Sequence, residues 1–271
     1  MPKYLNIACG ATYIRSEDWE NLDYVSSDGF VRASNIVENL GASQRTYEAI
    51  YCSHFFEHIP TKEVHRFLLR CRSLMRDGSI LRIVVPDAEF LAREYLKHKD
   101  AGNHSHSQFA FVNLLDQCVR QENGGQLGRY FDKIASGEMR GLGQYAEYLN
   151  GRSDIDRTPR PSSIGARLWS HLLHPPRLRR KIESLYIKLV CALLPKAFRL
   201  QNISFCSIGE KHHWMYDFES LRSVLADAGF SHVERHNFDT SGFGDHFFAQ
   251  LDERDGAPRK GHHQLFVEAK L

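Results

Sequence analysis

The first hundred residues alternate short apolar runs with helical patterns, and this alternation constrains the fold more than any other feature of the chain. Four apolar runs predict β-strands, at residues 4–9, 19–23, 47–53 and 79–85. The last run, "SILRIVV", is nearly continuous in Ile, Leu and Val, as expected of a strand buried on both faces. Strands that alternate with helices predict a parallel α/β sheet.

Two helices are predicted from apolar residues that recur at three- and four-residue spacing. They cover residues 61–75, where Asp77-Gly78 provides a stop signal, and residues 217–229. Two further apolar runs, at residues 232–238 and 264–269, follow the second helix. The sheet is therefore expected to end in an antiparallel hairpin.

The middle of the chain does not continue this alternation. Residues 100–205 hold a predicted helix at 107–120 and a polar, Pro-containing run at 151–164. We therefore predict one core built from residues 1–99 and 206–271, with residues 100–205 as a mostly helical, basic insertion. This insertion could serve as an acceptor lid or as a contact surface.

Composition excludes several functional classes. The 271 residues are 42% hydrophobic and 25% charged, which is typical of a globular protein with a sizeable core. The net charge of +2 and the lack of a basic stripe argue against nucleic acid as a partner. Six scattered cysteines without a CxxC pattern indicate reduced thiols. With no signal-peptide pattern and no long apolar run, we expect a cytoplasmic protein.

The turn after the first predicted strand, "ACGAT", indicates what the sheet could bind. A dinucleotide fingerprint requires GxGxxG, whereas this turn contains only Gly10. Asp23 ends the second strand, where a carboxylate can accept two hydrogen bonds from a ribose diol. The pattern favours a nucleoside ligand without a pyrophosphate. The alternative is a tight turn with Asp23 as a cap.

Five segments carry a family resemblance in their order and spacing: "LNIACG", "NLDY", "YCSHFFEHI", "LMRDGSILRIVVPD" and "HHWMYDFESLRSVLADAGF". Together they resemble class I S-adenosylmethionine-dependent methyltransferases, and more narrowly those of bacterial surface-polysaccharide biosynthesis. The resemblance covers residues 3–96 and 208–271. It implies a methyltransferase enzyme, S-adenosylmethionine as cofactor, and a doubly wound, mostly parallel seven-stranded sheet of the Rossmann-like methyltransferase fold.

The resemblance also implies the cofactor-binding residues. Asn6, Ala8, Cys9 and Gly10 are expected along the methionine part, Asp23 on the ribose hydroxyls, Ser34 or Asn35 near the adenine, and Ser53 at the end of the third predicted strand. Two departures stand out, because the family usually has Gly at the position of Ala8 and an acid at Ser34-Asn35.

Three residues are predicted to be catalytic: His54, then His213, then Asp87. A sugar hydroxyl benefits from a general base, and the pKa of histidine lies near neutrality. His54 and Asp87 each follow a strand at the carboxyl edge, with Glu57 and His58 just after His54. His58 could instead cap a helix, and one of His212 and His213 is expected to be structural. No metal site is predicted, because the neighbouring pairs among the 15 histidines lack a third ligand at recognisable spacing.

Residues 151–200 contain eleven basic and three acidic residues. Within them, residues 177–199 read as a basic amphipathic helix. Such a helix could pack on the sheet or on a second subunit of a homodimer, bind an acidic substrate, or lie on the inner membrane as a peripheral contact.

The sequence leads to one main functional hypothesis, O-methylation of a sugar hydroxyl in a bacterial surface glycan or its lipid-linked precursor. The alternatives are methylation of a small metabolite or lipid, and a non-catalytic partner of a membrane glycan-assembly complex. A nicotinamide dehydrogenase is disfavoured because the glycine fingerprint is absent.

Overall fold

The computed structural model describes residues 2–26, 28–37, 40, 47–151, 185–187 and 189–271. The strands are β1 (Tyr4–Ile7), β2 (Trp19–Asp23), β3 (Val31–Ala33), β4 (Tyr47–Ser53), β5 (Met75–Pro86), β6 (Ser231–His236), β7 (Glu253–Arg254), β8 (Ala257–Pro258) and β9 (Gln264–Lys270). The helices are α1 (Thr61–Ser73), α2 (Ala88–Asp100), α3 (His104–Val119), α4 (Gly125–Ala135), α5 (Gly143–Asn150), α6 (Lys196–Asn202), α7 (Phe218–Asp227) and α8 (Ala249–Asp252). Single 3₁₀ turns lie at Phe56–His58 and Arg140–Leu142.

Seven strands form one sheet in the order β3-β2-β1-β4-β5-β9-β6. Strand β9 runs antiparallel between β5 and β6, and the other strand pairs are parallel. This confirms the predicted doubly wound, mostly parallel α/β fold with its C-terminal antiparallel pair. The chain order reverses at β1, which lies between β2 and β4. Ligands of such sheets bind at the carboxyl edge beside this reversal.

The predicted strands and helices are found close to their expected bounds, with one instructive exception. Helix α1 ends at Ser73, and Met75 already pairs with Tyr47 as the first residue of β5. Asp77 and Gly78 therefore lie inside a long strand, next to a shift of register, instead of after a helix. The three-residue strand β3 and the small β7-β8 hairpin had no sequence signal, because each is too short to show a period.

The two faces of the sheet are covered by different means. On one face, α1 and α7 bury Phe67, Leu68, Leu221 and Leu225 in the main core. The crossover from β1 to β2, residues 8–18, contains no helix. The other face is covered instead by the segment 238–252, whose aromatic rings pack on the strands.

A buried ion network stands at the centre of this second face. Arg82 is fully buried and pairs with Asp252 at 2.8 Å and with Glu268 at 2.6 Å. Its guanidinium also lies over the rings of Phe248 and Phe266. Burial raises the pKa of Asp252 to about 6, although Arg82 opposes this. The network fixes the segment 238–252 to the sheet in place of a crossover helix.

The helices after β5 have a core of their own. Helices α2 to α5 enclose Leu91, Phe109, Phe131 and Tyr145. The predicted helix at residues 107–120 is confirmed as α3. Because Leu91 belongs to α2, this helical core begins before residue 100, where the sequence suggested a boundary. The division into core and insertion stays a prediction.

Residues 177–184 and 188 of the basic segment 177–199 lie outside the described residues, as does nearly all of the polar run 151–164. Within the segment, residues 185–187 and 189–192 are helical, and α6 begins at Lys196 after Pro195. Leu185, Leu189 and Leu193 are exposed, so none of these three apolar side chains is buried against the sheet. None of the helices in the described parts of the chain has the length and hydropathy needed to cross a membrane.

Candidate functional site

The turn after β1 and the end of β2 meet at the carboxyl edge of the sheet. The Gly10 N–H donates to Asp23 Oδ2 at 2.7 Å, and the Cys9 N–H donates to the Leu22 carbonyl at 3.0 Å. Ala8 and Gly10 both adopt left-handed backbone conformations, with φ of 54° and 56°. Ala8 thus has the backbone conformation that glycine adopts most easily. The structure brings Ala8, Cys9, Gly10 and Asp23 together, as the sequence analysis expected.

Asn6 and Cys9 contribute to the shape of this turn. The Asn6 side chain is buried and donates to the Thr12 carbonyl and to Asn21 Oδ1, at 3.1 and 3.2 Å. Burial raises the pKa of the Cys9 thiol to about 12, so it stays protonated at neutral pH. The side chains of both residues hold the turn. A ligand contact from either would come mainly from the backbone.

Ser34 and Asn35 follow β3 at the same edge. The Ser34 N–H donates to the Asp23 carbonyl at 2.7 Å, so the two residues lie next to the predicted ribose position. Asn35 is exposed and Ser34 is half-buried. This is the side of the edge on which an adenine was expected, and their contact with it stays a prediction.

The turn after β4 is the second feature of this edge. Ser53 ends β4, and His54 follows with a φ of 50° while its N–H donates to the Val84 carbonyl at 2.8 Å. Left-handed conformations of non-glycine residues are strained and occur often at functional sites. After His54, Phe56 and Ile59 are fully buried in the main core. Their anchoring fixes the intervening residues at the edge.

Four side chains converge behind this turn. The Glu57 carboxylate is completely buried, and its Oε1 lies 3.4 Å from His54 Nδ1, 4.0 Å from His58 Nε2 and 3.9 Å from His212 Nε2. His212 comes from the loop before α7. The capping interpretation of His58 is wrong, because Pro60 is the N-cap residue of α1, no side chain caps this helix, and His58 Nδ1 contacts the Lys211 carbonyl at 2.8 Å.

Of the two adjacent histidines, His212 is the one inside the cluster. Its ring is buried, whereas the His213 side chain is exposed. The His213 backbone N–H donates to the Glu57 carbonyl at 2.7 Å, which ties the loop to the turn after β4. The His213 side chain therefore lies at the rim of the site. Its catalytic role stays a prediction.

Burial controls the charges of the cluster. It lowers the pKa of His54, and it lowers the pKa of His212 to about 3. Burial opposes ionisation of Glu57, yet contact with His54 and positive charge on the neighbouring histidines lower its pKa to about 2. The first effect requires a proton on His54 Nδ1, and the second requires protonated histidines, which the burial of His212 disfavours at neutral pH. We take burial as decisive for His212, so this ring gives Glu57 no positive charge there.

The Asp87 side chain caps a helix and pairs with an arginine of the sheet. Its Oδ1 accepts the Phe90 N–H at 3.0 Å as the N-cap of α2, and its Oδ2 pairs with Arg235. Burial raises the pKa of Asp87, against the effect of the cap and of Arg235. Both oxygens are engaged within the fold, so a catalytic role, which stays a prediction, would require one of these contacts to break.

A cavity of about 230 Å³ opens next to the cluster. It lies between the sheet edge and the helical region, and residues from α3, α4 and the loop before β9 line it. The polar and charged lining residues include His54, Glu57, Arg120, Glu210, Lys260 and His263. An acceptor placed in this cavity would lie beside His54 and would be held by polar groups.

No protein-family model matches the sequence, and no curated protein matches it. Solved structures with some similarity include an S-adenosylmethionine-dependent methyltransferase from Archaeoglobus fulgidus, at 12% identity and a TM-score of 0.40 over 100% of this chain and 86% of that chain. A second, from Clostridium acetobutylicum, has 13% identity and a TM-score of 0.27 over 33% of this chain and 45% of that chain. PKMT2 from Rickettsia typhi, in complex with AdoHcy, has 12% identity and a TM-score of 0.36 over 99% of this chain and 48% of that chain.

This chain thus spans less than half the length of the Clostridium and Rickettsia proteins. At such identities and scores the similarities carry no argument about function, which must come from the site itself.

Proposed function

We propose that this protein is an S-adenosylmethionine-dependent methyltransferase that binds its cofactor at the sheet edge formed by the turns after β1 and β4. The observation that carries the proposal is the position of Asp23. Its carboxylate ends β2 beside the chain reversal and accepts the Gly10 N–H at 2.7 Å. A carboxylate at this place suits a ribose diol.

The turn after β1 favours a cofactor without a pyrophosphate. Its small residues let a ligand approach the backbone, while the glycine-rich loop that would hold two phosphates is missing. The residues proposed to bind the cofactor are those of the sequence prediction: Asn6, Ala8, Cys9, Gly10, Asp23, Ser34, Asn35 and Ser53. When bound, the cofactor supplies an activated methyl group, so the protein's task is to place the acceptor in line with it.

His54 is the residue that we propose as general base. It lies at the carboxyl end of β4, lines the cavity, and has a pKa lowered by burial, so that its ring is neutral at neutral pH. Its Nε2 lies 3.1 Å from Gln264 Oε1. To accept a proton from an acceptor hydroxyl, the ring must exchange one of its present contacts for the acceptor.

For the acceptor, we propose a sugar hydroxyl of a bacterial surface glycan or of its lipid-linked precursor. The support comes from the sequence motifs and from the polar cavity, in which Arg120, Glu210 and Lys260 can bind a hydroxyl-rich or acidic ligand. The same lining argues against an apolar lipid inside the cavity. A small polar metabolite fits it as well and is the second candidate acceptor.

A labelled-methyl assay tests the proposal. The full chain is incubated with S-adenosylmethionine carrying an isotopic methyl group, together with nucleotide sugars, lipid-linked glycans and small hydroxylated metabolites. We expect label on one acceptor class and formation of S-adenosylhomocysteine, with both lost in Asp23→Ala. Cofactor binding without turnover on any acceptor would favour the non-catalytic partner of a glycan-assembly complex.

We also propose that the segment 177–199 contacts a membrane surface. The support is the exposure of Leu185, Leu189 and Leu193 together with the basic residues of the segment. Co-sedimentation with anionic vesicles, weakened by salt and by a Leu185→Gln, Leu189→Gln double variant, is the expected result. If the wild type instead forms a homodimer that dissociates in this variant, and does not bind vesicles, the apolar face packs against a second subunit.

A further inference from the structure

Within the described residues, one group of three metal-ligating side chains has its ligand atoms within 4.8 Å of one another, namely Glu57, His58 and His212. We propose that these three side chains bind one divalent transition-metal ion. This set was not predicted from the sequence, because His58 and His212 are far apart in the chain. The inference concerns metal binding itself and does not depend on the proposed methyl transfer.

The hydrogen-bond partners of His58 and His54 determine which nitrogen of each ring turns a lone pair toward Glu57. The Lys211 carbonyl can only accept, so His58 carries its proton on Nδ1 and turns the lone pair of Nε2 toward Glu57. A second-sphere carbonyl of this kind is the usual partner of a metal-binding histidine.

His54 shows the same arrangement on another side of Glu57. The Gln264 amide donates to the Gly261 carbonyl at 3.0 Å, which orients its Oε1 toward His54 Nε2 and places the imidazole proton there. The lone pair of His54 Nδ1 then faces Glu57 Oε1 at 3.4 Å. In this tautomer, His54 therefore donates no hydrogen bond to Glu57 Oε1.

A cation would stabilise the buried carboxylate of Glu57. Its carboxylate is fully buried, and neither oxygen accepts a hydrogen bond within the described residues. A buried carboxylate without a hydrogen-bond donor or counter-charge is strongly unfavourable. A bound ion would supply the missing charge at the point where the lone pairs converge.

Metal binding requires the ligand atoms of Glu57, His58 and His212 to move slightly closer together. Nitrogen and oxygen ligands lie about 2.0–2.2 Å from a zinc ion, so tetrahedral ligand atoms are roughly 3.4 Å apart. Glu57 Oε1 lies 4.0 and 3.9 Å from the two imidazole nitrogens. Small side-chain rotations close this difference. His212 Nε2 must also release the Gln117 amide nitrogen, which lies 2.8 Å from it.

The ligand set indicates which ions fit. Two imidazoles and one carboxylate suit Zn²⁺, Fe²⁺, Mn²⁺ or Co²⁺, whereas Mg²⁺ and Ca²⁺ prefer oxygen ligands alone. Three protein ligands beside an open cavity leave a coordination position for water or substrate, as in catalytic zinc sites. If the proposed methyl transfer holds, an ion here would polarise the acceptor hydroxyl.

Buried side chains and backbone hydrogen bonds anchor the scaffold of the site. Phe56 and Ile59 anchor the turn after β4 in the core, and the Glu57 carbonyl accepts the N–H groups of His213 and Trp214 at 2.7 and 3.3 Å. The two segments that carry the ligands are therefore joined through their backbones before any ion binds. Such preorganisation favours a site with defined stoichiometry.

Metal binding by the full chain tests the proposal directly. The chelator-treated protein is titrated with Co²⁺, followed by its ligand-field absorption, and with Zn²⁺, followed by calorimetry, without S-adenosylmethionine. We expect one ion per chain. Glu57→Gln, His58→Gln and His212→Gln should each weaken binding by about a hundredfold or more, since loss of even an outer-shell partner costs 10- to 100-fold. His213→Gln, which changes the exposed neighbour, should leave it unchanged.

Folding is checked in parallel. Circular dichroism identifies variants that do not fold, and Zn²⁺ should raise the melting temperature of the wild type and of His213→Gln only. The proposal is overturned if the wild type binds neither ion, or if folded variants of all three ligands bind as tightly as the wild type. The first result would leave a shared proton as the partner of Glu57. Neither result bears on the cofactor site at Asp23.

Discussion

The turns after β1 and β4 lie at the same edge of the sheet and start alike, but they are held in opposite ways. Each begins with a non-glycine residue in the left-handed conformation, Ala8 in the first and His54 in the second. The first turn is partly exposed, and its acid, Asp23, is held by a contact with Gly10. The second encloses a fully buried acid, Glu57, whose neighbours include a histidine from a distant loop.

This difference separates two tasks. A partly exposed turn with a nearby carboxylate can accept a ligand that arrives from solvent. A buried carboxylate surrounded by histidines keeps a defined charge and geometry beside a cavity, as a reacting group or an ion requires. This difference supports our proposal that the cofactor binds chiefly at the turn after β1 and that the acceptor reacts at the turn after β4.

The largest expected effect concerns the anchoring of the second turn. Phe56 is fully buried in the main core, whereas the neighbouring Phe55 is only partly buried. Phe56→Ala should lower the free energy of unfolding by about 3–5 kcal/mol, because it leaves a cavity in the core. Phe55→Ala should cost clearly less. Denaturant unfolding measures both, and equal costs would show that the turn is not anchored as described.

The second prediction concerns chemistry at the same turn. His54→Ala should lower turnover by about a hundredfold or more while the cofactor dissociation constant stays nearly unchanged, as expected for loss of a general base. His213→Ala, at the rim, serves as the comparison and should have a smaller effect. Single-turnover kinetics with saturating cofactor give the rates. Unchanged turnover in His54→Ala would remove this residue from the mechanism.

The smallest expected effect is on stability, from a pair of opposite substitutions in the turn after β1. Ala8→Gly should raise stability by roughly 1 kcal/mol, because glycine adopts φ near 54° without the strain of a Cβ atom. Gly10→Ala should lower it by a similar amount, since φ is 56° and the added Cβ would meet no atom within 4 Å. Thermal or denaturant unfolding measures both changes. A loss of stability in Ala8→Gly would contradict the conformation described for this turn.

The fold was largely predictable because its central strands have strong local signals. The continuous apolar run of β5 and the helical period of α1 reflect burial that any parallel sheet imposes on its sequence. The aromatic cover of the second face was not predictable. Phe248 and Trp19 pack against each other although they are far apart in the sequence, and no local periodicity predicts such a contact.

The site divides in the same way. Asp23 and Gly10 were predicted together because the geometry of neighbouring parallel strands brings their ends to one edge. The choice between His212 and His213 was not available from the sequence, because the two are adjacent and only the backbone contacts of the loop decide which ring points inward. The contribution of His212 to the cluster around Glu57 was missed for the same reason.

Calorimetric titration with S-adenosylmethionine and S-adenosylhomocysteine, on the wild type and on Asp23→Ala, tests the central claim most directly. We predict micromolar binding to the wild type. Asp23→Ala should weaken it by at least tenfold, since a hydrogen bond to a charged group contributes about 1.5–3 kcal/mol. If the folded wild-type protein binds neither compound, the edge beside Asp23 is not a cofactor site and the assignment as a methyltransferase is contradicted.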